Sequence, residues 1–252
     1  MAALVFCIIW NEFSTAGIFL VFSTLATIEY YQILNKKELS HNTKYGPFVN
    51  VVVYCLLTLV FILEIKKYTL IEGMDNYRIL FLIIPFLFIL VLQELFAKDE
   101  IPYQNISSTL FALLYITLPF ATLNYLSFNE EIYDKIGLAD NWSLLLGFFI
   151  IVCTSDTVAY VVGRAIGKHK LFPRISPGKT WEGFFGGLLF SVLAGYIFSI
   201  ITKDAQASAT INSSMHWIIM AVIISIFGML GDLSESLLKR SGGVKDSGTL
   251  LP

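Results

Sequence analysis

The chain has 252 residues and a formal net charge of −2, and 56% of its residues are hydrophobic while 14% are charged. Its mean hydropathy is +0.72. Soluble domains contain about 45–50% apolar and about 25% charged residues. The composition therefore excludes an ordinary soluble domain and predicts an integral membrane protein, with the lipid bilayer as its main partner. The slightly negative charge predicts that nucleic acid is not a partner.

Apolar segments fill most of the chain. A helix that crosses the hydrocarbon core needs about 20 mostly apolar residues. Seven segments approach this length and predict transmembrane helices, at residues 14–34, 47–63, 79–97, 106–126, 142–163, 183–202 and 216–234. Residues 1–10 predict a partial helix at the N-terminus. The predicted fold class is an all-α, polytopic integral membrane protein, and the lack of a long linker predicts a single membrane domain over residues 1–252.

Charged residues between the apolar segments predict the orientation. Lysine and arginine concentrate in residues 35–46, 164–182 and 235–252, whereas the loop at 127–141 is mainly acidic. Basic loops favour the cytoplasmic side of a membrane. Alternating the predicted helices places all three basic segments in the cytoplasm, although the basic loop at 64–78 then falls on the opposite side.

One acidic residue lies inside a predicted span. Asp156, Tyr160, Gly163 and Arg164 are spaced i, i+4, i+7 and i+8, so they share one helix face. An ionised Asp in hydrocarbon costs about 2.5–3.5 kcal/mol on insertion scales. Asp156 is therefore a candidate functional residue, with structural pairing to Arg164, or a neutral Asp in a packed interface, as the alternatives.

Small residues recur in the next predicted span. Gly183, Gly187, Ser191 and Gly195 are four residues apart. Such a stripe allows a neighbouring helix to approach closely. It predicts helix packing rather than chemistry.

The basic loop at 164–182 ends in a turn that leads into this span. Ser176 or Thr180 can cap the helix, with Pro177 at its first position if Ser176 is the cap. A lysine beside a helix N-terminus, here Lys179, is typical of an anion site. For Lys168 and Lys170 the orientation of the chain in the membrane is a sufficient explanation.

The last charged stretch carries a second polar face. Its members are spaced i, i+3, i+4 and i+7 on a helix and are Asp232, Glu235, Ser236 and Lys239. Paired carboxylates are suitable Mg²⁺ ligands. Gly242 and Gly243 predict the end of the helix, and Lys245 and Asp246 follow in a loop. A solvated helix end with i,i+4 ion pairs remains the alternative.

Two stretches together resemble a known family. Ser236–Arg240 and Lys245–Pro252 resemble the first part of the signature of phosphatidate cytidylyltransferases, integral membrane enzymes that make CDP-diacylglycerol. Residues 156–171 and 176–183 are also similar to that family's cytoplasmic half. The signature normally continues past the point where this chain ends, so we expect a fragment that inserts in the membrane but is catalytically inactive.

The resemblance implies a reaction, a metal ion and a set of residues. The phosphate of phosphatidic acid would attack the α-phosphate of CTP, with Mg²⁺ as cofactor and pyrophosphate as leaving group. The implied metal ligands are Asp232, Glu235 and Asp246. The implied catalytic residues are Asp232, Lys239, Arg240, Lys245 and Asp246. The implied substrate-binding residues are Asp156, Arg164, Ser176, Lys179, Thr180, Glu182 and Ser236.

The same resemblance implies an organisation and a location. Residues 1–141 would supply N-terminal transmembrane helices and residues 142–252 the catalytic half, in a bacterial plasma (inner) membrane with the site facing the cytoplasm. The resemblance is also compatible with a homodimer.

Two other functions share these features. An ion-coupled transporter would use Asp156 and the acidic helix end as a cation pathway, and a lipid kinase or another polytopic nucleotide-dependent enzyme would share the metal and the lysines. The clustering of charge at one surface, rather than at the membrane midplane, favours an enzyme over a transporter.

Overall fold

The computed structural model describes residues 2–35, 45–66, 83–97, 101–129, 141–202 and 213–243. Within these ranges the elements are α1 (Ala2–Trp10), α2 (Glu12–Asn35), α3 (Tyr45–Ile65), α4 (Ile83–Ala97), α5 (Pro102–Phe128), α6 (Asn141–Ile166), β1 (Lys170–Phe172), β2 (Ser176–Thr180), α7 (Trp181–Ile201) and α8 (Ser213–Ser241). Helix α5 contains a π-helical stretch at Leu113–Thr117.

Long apolar helices confirm the predicted fold class. Six helices of the described part are long and apolar enough to cross a membrane, namely α2, α3, α5, α6, α7 and α8. Six of the seven predicted segments fall on them. The remaining segment, 79–97, overlaps α4, which has 15 residues, and its residues 79–82 lie outside the described ranges. The partial N-terminal helix corresponds to α1, which has nine residues.

The described residues form two compact units. The first holds helices α1 to α5, up to Phe128, and the second is Asn129–Ser241 with α6 to α8 and both strands. The predicted single domain, with halves at 1–141 and 142–252, stays a prediction.

Buried hydrogen bonds hold the first unit together. The side-chain amide of Asn124 in α5 donates to the Tyr54 hydroxyl at 2.8 Å and to Thr58 Oγ1 at 2.9 Å, both on α3. Thr117 Oγ1 in the π-helical stretch donates to Asn50 Oδ1 of α3 at 2.5 Å. Polar side chains away from water need such partners, so these contacts fix α5 against α3.

Small residues bring the helices of the second unit close together. A Cβ atom built on Gly187 would lie 2.7 Å from the carbonyl oxygen of Ser155 in α6, and one on Gly195 would lie 3.0 Å from that of Trp217 in α8. The small-residue stripe of α7 therefore packs against two neighbours, which confirms its predicted role. Further along the same interface, Phe198 of α7 meets Trp217 edge to face at 4.9 Å.

A two-stranded antiparallel hairpin joins α6 to α7. Strand β1 pairs with β2 so that Lys170 lies opposite Thr180 and Phe172 opposite Ser176. Thr180 has extended backbone angles and its Oγ1 accepts a hydrogen bond from the Gly183 amide at 3.2 Å, so it is the N-cap of α7. The alternative helix start, with Ser176 as cap and Pro177 at the first position, is wrong because both residues lie in β2.

Helix α8 ends where the glycines predict. Its last residue is Ser241, and Gly243 has a φ of 71°, a left-handed conformation that glycine adopts without steric cost. The four predicted face residues, Asp232 to Lys239, are all within this helix.

Candidate active site

A cavity of about 800 Å³ opens within the second unit, and the hairpin and helices α6, α7 and α8 all contribute to its wall. Helix α6 contributes residues that are one turn apart, such as Asp156, Tyr160 and Arg164, because positions i, i+4 and i+8 share a face. Helix α8 supplies Ser225, Met229 and Asp232 by the same periodicity. The charged residues that line the cavity are Asp156, Arg164, Lys170, Lys179 and Asp232.

An ion pair connects the hairpin to α8 across this cavity. Lys179 Nζ of β2 forms a salt bridge with Asp232 Oδ2, and it also donates to the carbonyl oxygen of Met229 at 3.4 Å. The Asp232 side chain is 57% exposed, whereas that of Lys179 is 23% exposed. The carboxylate thus faces the open cavity while the amine reaches over it from the hairpin.

Two further cations face the same space. Arg164 Nη1 donates to the Tyr160 hydroxyl at 3.2 Å, one helical turn earlier on α6. This contact uses one of the five N–H groups of the guanidinium. Lys170 of β1 also lines the cavity. Three basic side chains around one space are suited to phosphate oxygens, which accept several charge-assisted hydrogen bonds at once.

A glycine of α6 allows the hairpin to lie close to the helix. A Cβ atom built on Gly163 would lie 2.9 Å from Thr180 Oγ1. The Thr180 hydroxyl can cap α7 and face the cavity only because this position of α6 has no side chain.

Glu182 closes the base of the hairpin instead of lining the cavity. Its carboxylate oxygens each accept a hydrogen bond from the His169 amide at 3.2 Å, and Oε1 lies 2.6 Å from His169 Nδ1. The Trp181 amide donates to the His169 carbonyl at 3.0 Å. These contacts join the start of the hairpin to the first turn of α7.

The structure brings about half of the predicted site residues together. Those that line the cavity are Asp156, Arg164, Ser176, Lys179, Thr180 and Asp232. Those that are described but do not line it are Glu182, Glu235, Ser236, Lys239 and Arg240. Glu235 instead pairs with Lys239 at 2.6 Å, and Arg240 Nε donates to the Ile175 carbonyl at 3.5 Å. Lys245 and Asp246 lie outside the described residues.

Among the polar residues that line the cavity, the sequence did not predict a site role for Lys170, Ser155 and Ser225. Lys170 was explained by membrane orientation alone, and Ser155 and Ser225 carried no signal as single hydroxyls in apolar runs. Their spacing from Asp156 and Asp232 along the helix faces could have identified them, since Ser155 precedes Asp156 directly and Ser225 lies two helical turns before Asp232.

The carboxylates of the cavity can be compared with the ligands that the predicted Mg²⁺ ion would need. Within the described residues no group of three or more His, Cys, Asp or Glu side chains is placed to hold a metal. Of the three carboxylates predicted as metal ligands, that of Asp232 lines the cavity. Mg²⁺ is usually held by one or two carboxylates together with substrate phosphates and water. The residues present therefore fit a metal that binds with its phosphorylated substrate.

Membrane-spanning helices and a cavity lined by both cations and carboxylates define an integral membrane protein with a site suited to phosphorylated ligands. The chain belongs to the cytidylyltransferase family, whose family model matches residues 1–252.

Individual relatives agree with this family. The chain is 35% identical over 167 residues to a phosphatidate cytidylyltransferase of Staphylococcus epidermidis, a match that covers 66% of this chain and 57% of that protein. It is 32% identical over 166 residues to one of Bacillus subtilis, covering 65% and 56%. It is 43% identical over 109 residues to one of Haemophilus influenzae, covering 43% and 37%. Its matches thus span a little over half the length of the first two relatives and about a third of the last.

Proposed function

We propose that the protein transfers the cytidylyl group of CTP to phosphatidic acid, giving CDP-diacylglycerol and pyrophosphate. The observation that carries this proposal is the convergence of Arg164, Lys170 and Lys179 with the carboxylates of Asp156 and Asp232 around one cavity. The names of the relatives supply the two substrates, both of which are phosphorylated.

The reaction depends mainly on the positioning of the two substrates and on neutralisation of their phosphate charge. A phosphate oxygen of phosphatidic acid attacks the α-phosphorus of CTP, the bond from that phosphorus to the bridging oxygen breaks, and the electron pair leaves with pyrophosphate. The attacking oxygen is already anionic, so no strong general base is needed. Lys179 and Arg164 would hold phosphate oxygens in line and stabilise the charge on the transferred group.

Asp232 has two roles in this scheme. In the described structure it holds Lys179 in place over the cavity. It is also the predicted metal ligand that lines the cavity, with Glu235 and Asp246 as the other ligands that the sequence predicts. Mg²⁺ bound there would neutralise phosphate charge.

The apolar part of the wall suits the lipid substrate. Leu171, Phe184 and Met229 line the cavity beside the charged residues. A phosphate headgroup can therefore meet the cations while the acyl chains stay against apolar surface, which removes the cost of transferring those chains into water.

The orientation of the cavity follows from its position on the helices. The hairpin and the C-terminal end of α8 lie at one end of the second unit, joined by Lys179 and Asp232 and by Arg240 and Ile175. This end carries the basic segment at 164–182 and the described part, 235–243, of the last one, which supports a proposed position on the cytoplasmic side of the bacterial inner membrane. The predicted homodimer stays a prediction.

The test is an assay of the purified protein in mixed detergent and lipid micelles, with labelled CTP, phosphatidic acid and Mg²⁺. We expect CDP-diacylglycerol and equimolar pyrophosphate from a chain that continues through the rest of the family signature, and this longer chain is the unmodified protein of the comparisons that follow. A lipid kinase would instead phosphorylate diacylglycerol with a nucleoside triphosphate, and a transporter would yield neither product.

A matched pair of variants connects the activity to the cavity. Lys179→Gln should lower turnover about tenfold to a hundredfold, since a hydrogen bond to a charged group contributes about 1.5–3 kcal/mol. Lys168→Gln removes a charge from the same segment, but Lys168 does not line the cavity, so its turnover should remain close to that of the unmodified protein. An equal loss of turnover in both variants would show that the charges of Lys168 and Lys179 act through the orientation of the protein in the membrane.

A further inference from the structure

The polar groups of the cavity are segregated along its depth. Arg164 lies near the C-terminal end of α6, and Ser155 precedes it by nine residues, or about 13 Å along the helix axis. On α8, Ser225 precedes Asp232 by seven residues, or about 10 Å. Arg164 and Lys170 therefore lie near the hairpin end of the cavity, and Ser155, Asp156 and Ser225 line its deep end. The Lys179 amine reaches between them, since it donates to the Met229 carbonyl one helical turn from Ser225. We call these three residues the acceptor floor.

A chain of hydroxyls gives this floor its hydrogen-bonding polarity. Ser191 Oγ of α7 donates to the Leu188 carbonyl at 2.9 Å, and it lies 2.6 Å from Ser225 Oγ. Each hydroxyl has one proton. Ser155 donates to Ser225 Oγ at 3.2 Å, and in the bond between Ser225 and Ser191 either hydroxyl can be the donor.

This order of donors has a consequence for any ligand. Ser155 lies at the open end of the chain and lines the cavity. Its proton points to Ser225, so its oxygen presents lone pairs to the cavity. The neighbouring Asp156 carboxylate is an acceptor as well. The deep end of the cavity thus offers acceptors, whereas the rest of the wall offers the donors of three basic residues beside the Asp232 carboxylate.

We propose that the acceptor floor binds the nucleoside end of CTP through hydrogen-bond donors of that nucleoside, while the triphosphate lies among the basic residues. This inference rests on the proposed function and extends it to recognition of the nucleotide. CTP is anionic at one end and carries an exocyclic amine and ribose hydroxyls at the other, which matches the polarity of the cavity. Phosphatidic acid has acceptors and apolar chains beyond its phosphate, so its glycerol esters do not complement this floor.

The inference is tested with three nucleotides and two variants of the full chain. The nucleotides are CTP, dCTP and the triphosphate of pyrimidin-2-one riboside, which is CTP without its exocyclic amine. Asp156→Asn puts amide donors where the carboxylate accepts, and Ser155→Ala removes the serine acceptor. Dissociation constants are measured by equilibrium dialysis, and kcat/KM is measured for CDP-diacylglycerol formation.

We expect Asp156→Asn to bind CTP at least tenfold more weakly than the unmodified protein, and Ser155→Ala several-fold more weakly, because a hydrogen bond to a charged group contributes more than one to a neutral group. The nucleotide that lacks the contacted donor should lose much less affinity in the variants. The ratio of its dissociation constant to that of CTP should therefore fall toward one. A collapse confined to the pyrimidin-2-one nucleotide identifies the amine as the contacted group, and one confined to dCTP identifies the 2′-hydroxyl.

Ser199→Ala is the matched control. Ser199 is buried between α7 and α8 and its Oγ lies 3.0 Å from Ser214 Oγ, but it does not line the cavity. Its nucleotide preferences should be unchanged. If both floor variants weaken all three nucleotides by the same factor, or leave CTP binding intact, the inference is wrong. Failure of the proposed function is a separate outcome, in which the unmodified protein forms no CDP-diacylglycerol from CTP.

Discussion

At the scale of single residues, the cavity separates two carboxylates that the sequence grouped as metal ligands. Asp232 lines the cavity beside Lys179, whereas Glu235 pairs with Lys239 one turn later on α8. We expect Asp232→Asn to lower turnover by several powers of ten at ordinary Mg²⁺, because each 1.36 kcal/mol of lost transition-state stabilisation is a factor of ten. Glu235→Gln should have a small effect, since an exposed i,i+4 ion pair contributes about 0.3–0.5 kcal/mol.

The measurements are steady-state turnover over a Mg²⁺ titration and, without turnover, Mn²⁺ binding in the presence of CTP followed by electron paramagnetic resonance. Weaker metal binding in Glu235→Gln, equal to that in Asp232→Asn, would support Glu235 as a ligand as well. Unchanged metal binding in Asp232→Asn would remove Asp232 from the metal site.

Residue types and spacing predicted the charged members of the cavity better than its neutral ones. Asp156 and Arg164 were identified because charge in an apolar span is costly and both lie on one helix face. Ser155 and Ser225 were not, because a hydroxyl in a span can satisfy itself on its own helix backbone. Their meeting with Ser191 depends on how three helices pack, which no single segment encodes.

At the scale of elements, the packing of α6 against α7 depends on a glycine. A Cβ atom at Gly187 would meet the Ser155 carbonyl oxygen at 2.7 Å and Ala159 Cβ at 3.0 Å. Gly187→Ala should therefore lower the free energy of unfolding by about 1–3 kcal/mol, since backbone must move to make room. Thermal unfolding of the purified protein in detergent measures this change.

The same substitution at Gly228 of α8 is the control. A Cβ atom built there meets nothing within 4 Å, so Gly228→Ala should be neutral or stabilise by up to about 1 kcal/mol through helix propensity. Equal destabilisation by both variants would mean that the stripe of α7 does not set the helix separation.

The hairpin is an element whose closure we expect to depend on Glu182. Glu182→Gln keeps the size of the side chain but weakens its contacts with the His169 amide and Nδ1. We expect faster cleavage by trypsin after Arg174, which is exposed in the turn between the strands. Glu235→Gln, the same change on α8, should leave this cleavage rate unaltered. A rate in Glu182→Gln equal to that of the unmodified protein would contradict the closing role.

The hairpin is an element that the sequence did not predict, whereas the long helices were predicted. The long helices followed from apolar runs, because backbone in lipid must satisfy its own hydrogen bonds. Strand β2 contains Pro177 and Gly178, residues that are disfavoured in strands. Both strands of a two-stranded sheet are edge strands, so the missing N–H group of a proline can face away from the partner strand. Thr180, at the last position of β2, then caps α7.

At the scale of the whole molecule, the helices of the second unit set the depth of the cavity relative to the membrane. Helix α7 has 21 residues and therefore spans about 31 Å, close to the thickness of the hydrocarbon core. The charged end of the cavity lies beside the start of this helix. The acceptor floor lies about 10–13 Å further along the helices, which is less than half of the length of α7.

This geometry predicts which ends of the helices reach the same side of the membrane. Arg174 in the hairpin and Arg240 near the end of α8 are exposed at the charged end, whereas Thr202 lies at the opposite end of α7. With Cys7, Cys55 and Cys153 replaced by alanine, single cysteines at these three positions are tested with an impermeant maleimide in sealed inverted and right-side-out vesicles. The positions at 174 and 240 should label from the cytoplasmic side and position 202 from the other side. Labelling of 174 and 202 from one side would contradict a membrane-spanning α7, and labelling of 174 from the outer side would reverse the proposed orientation of the site.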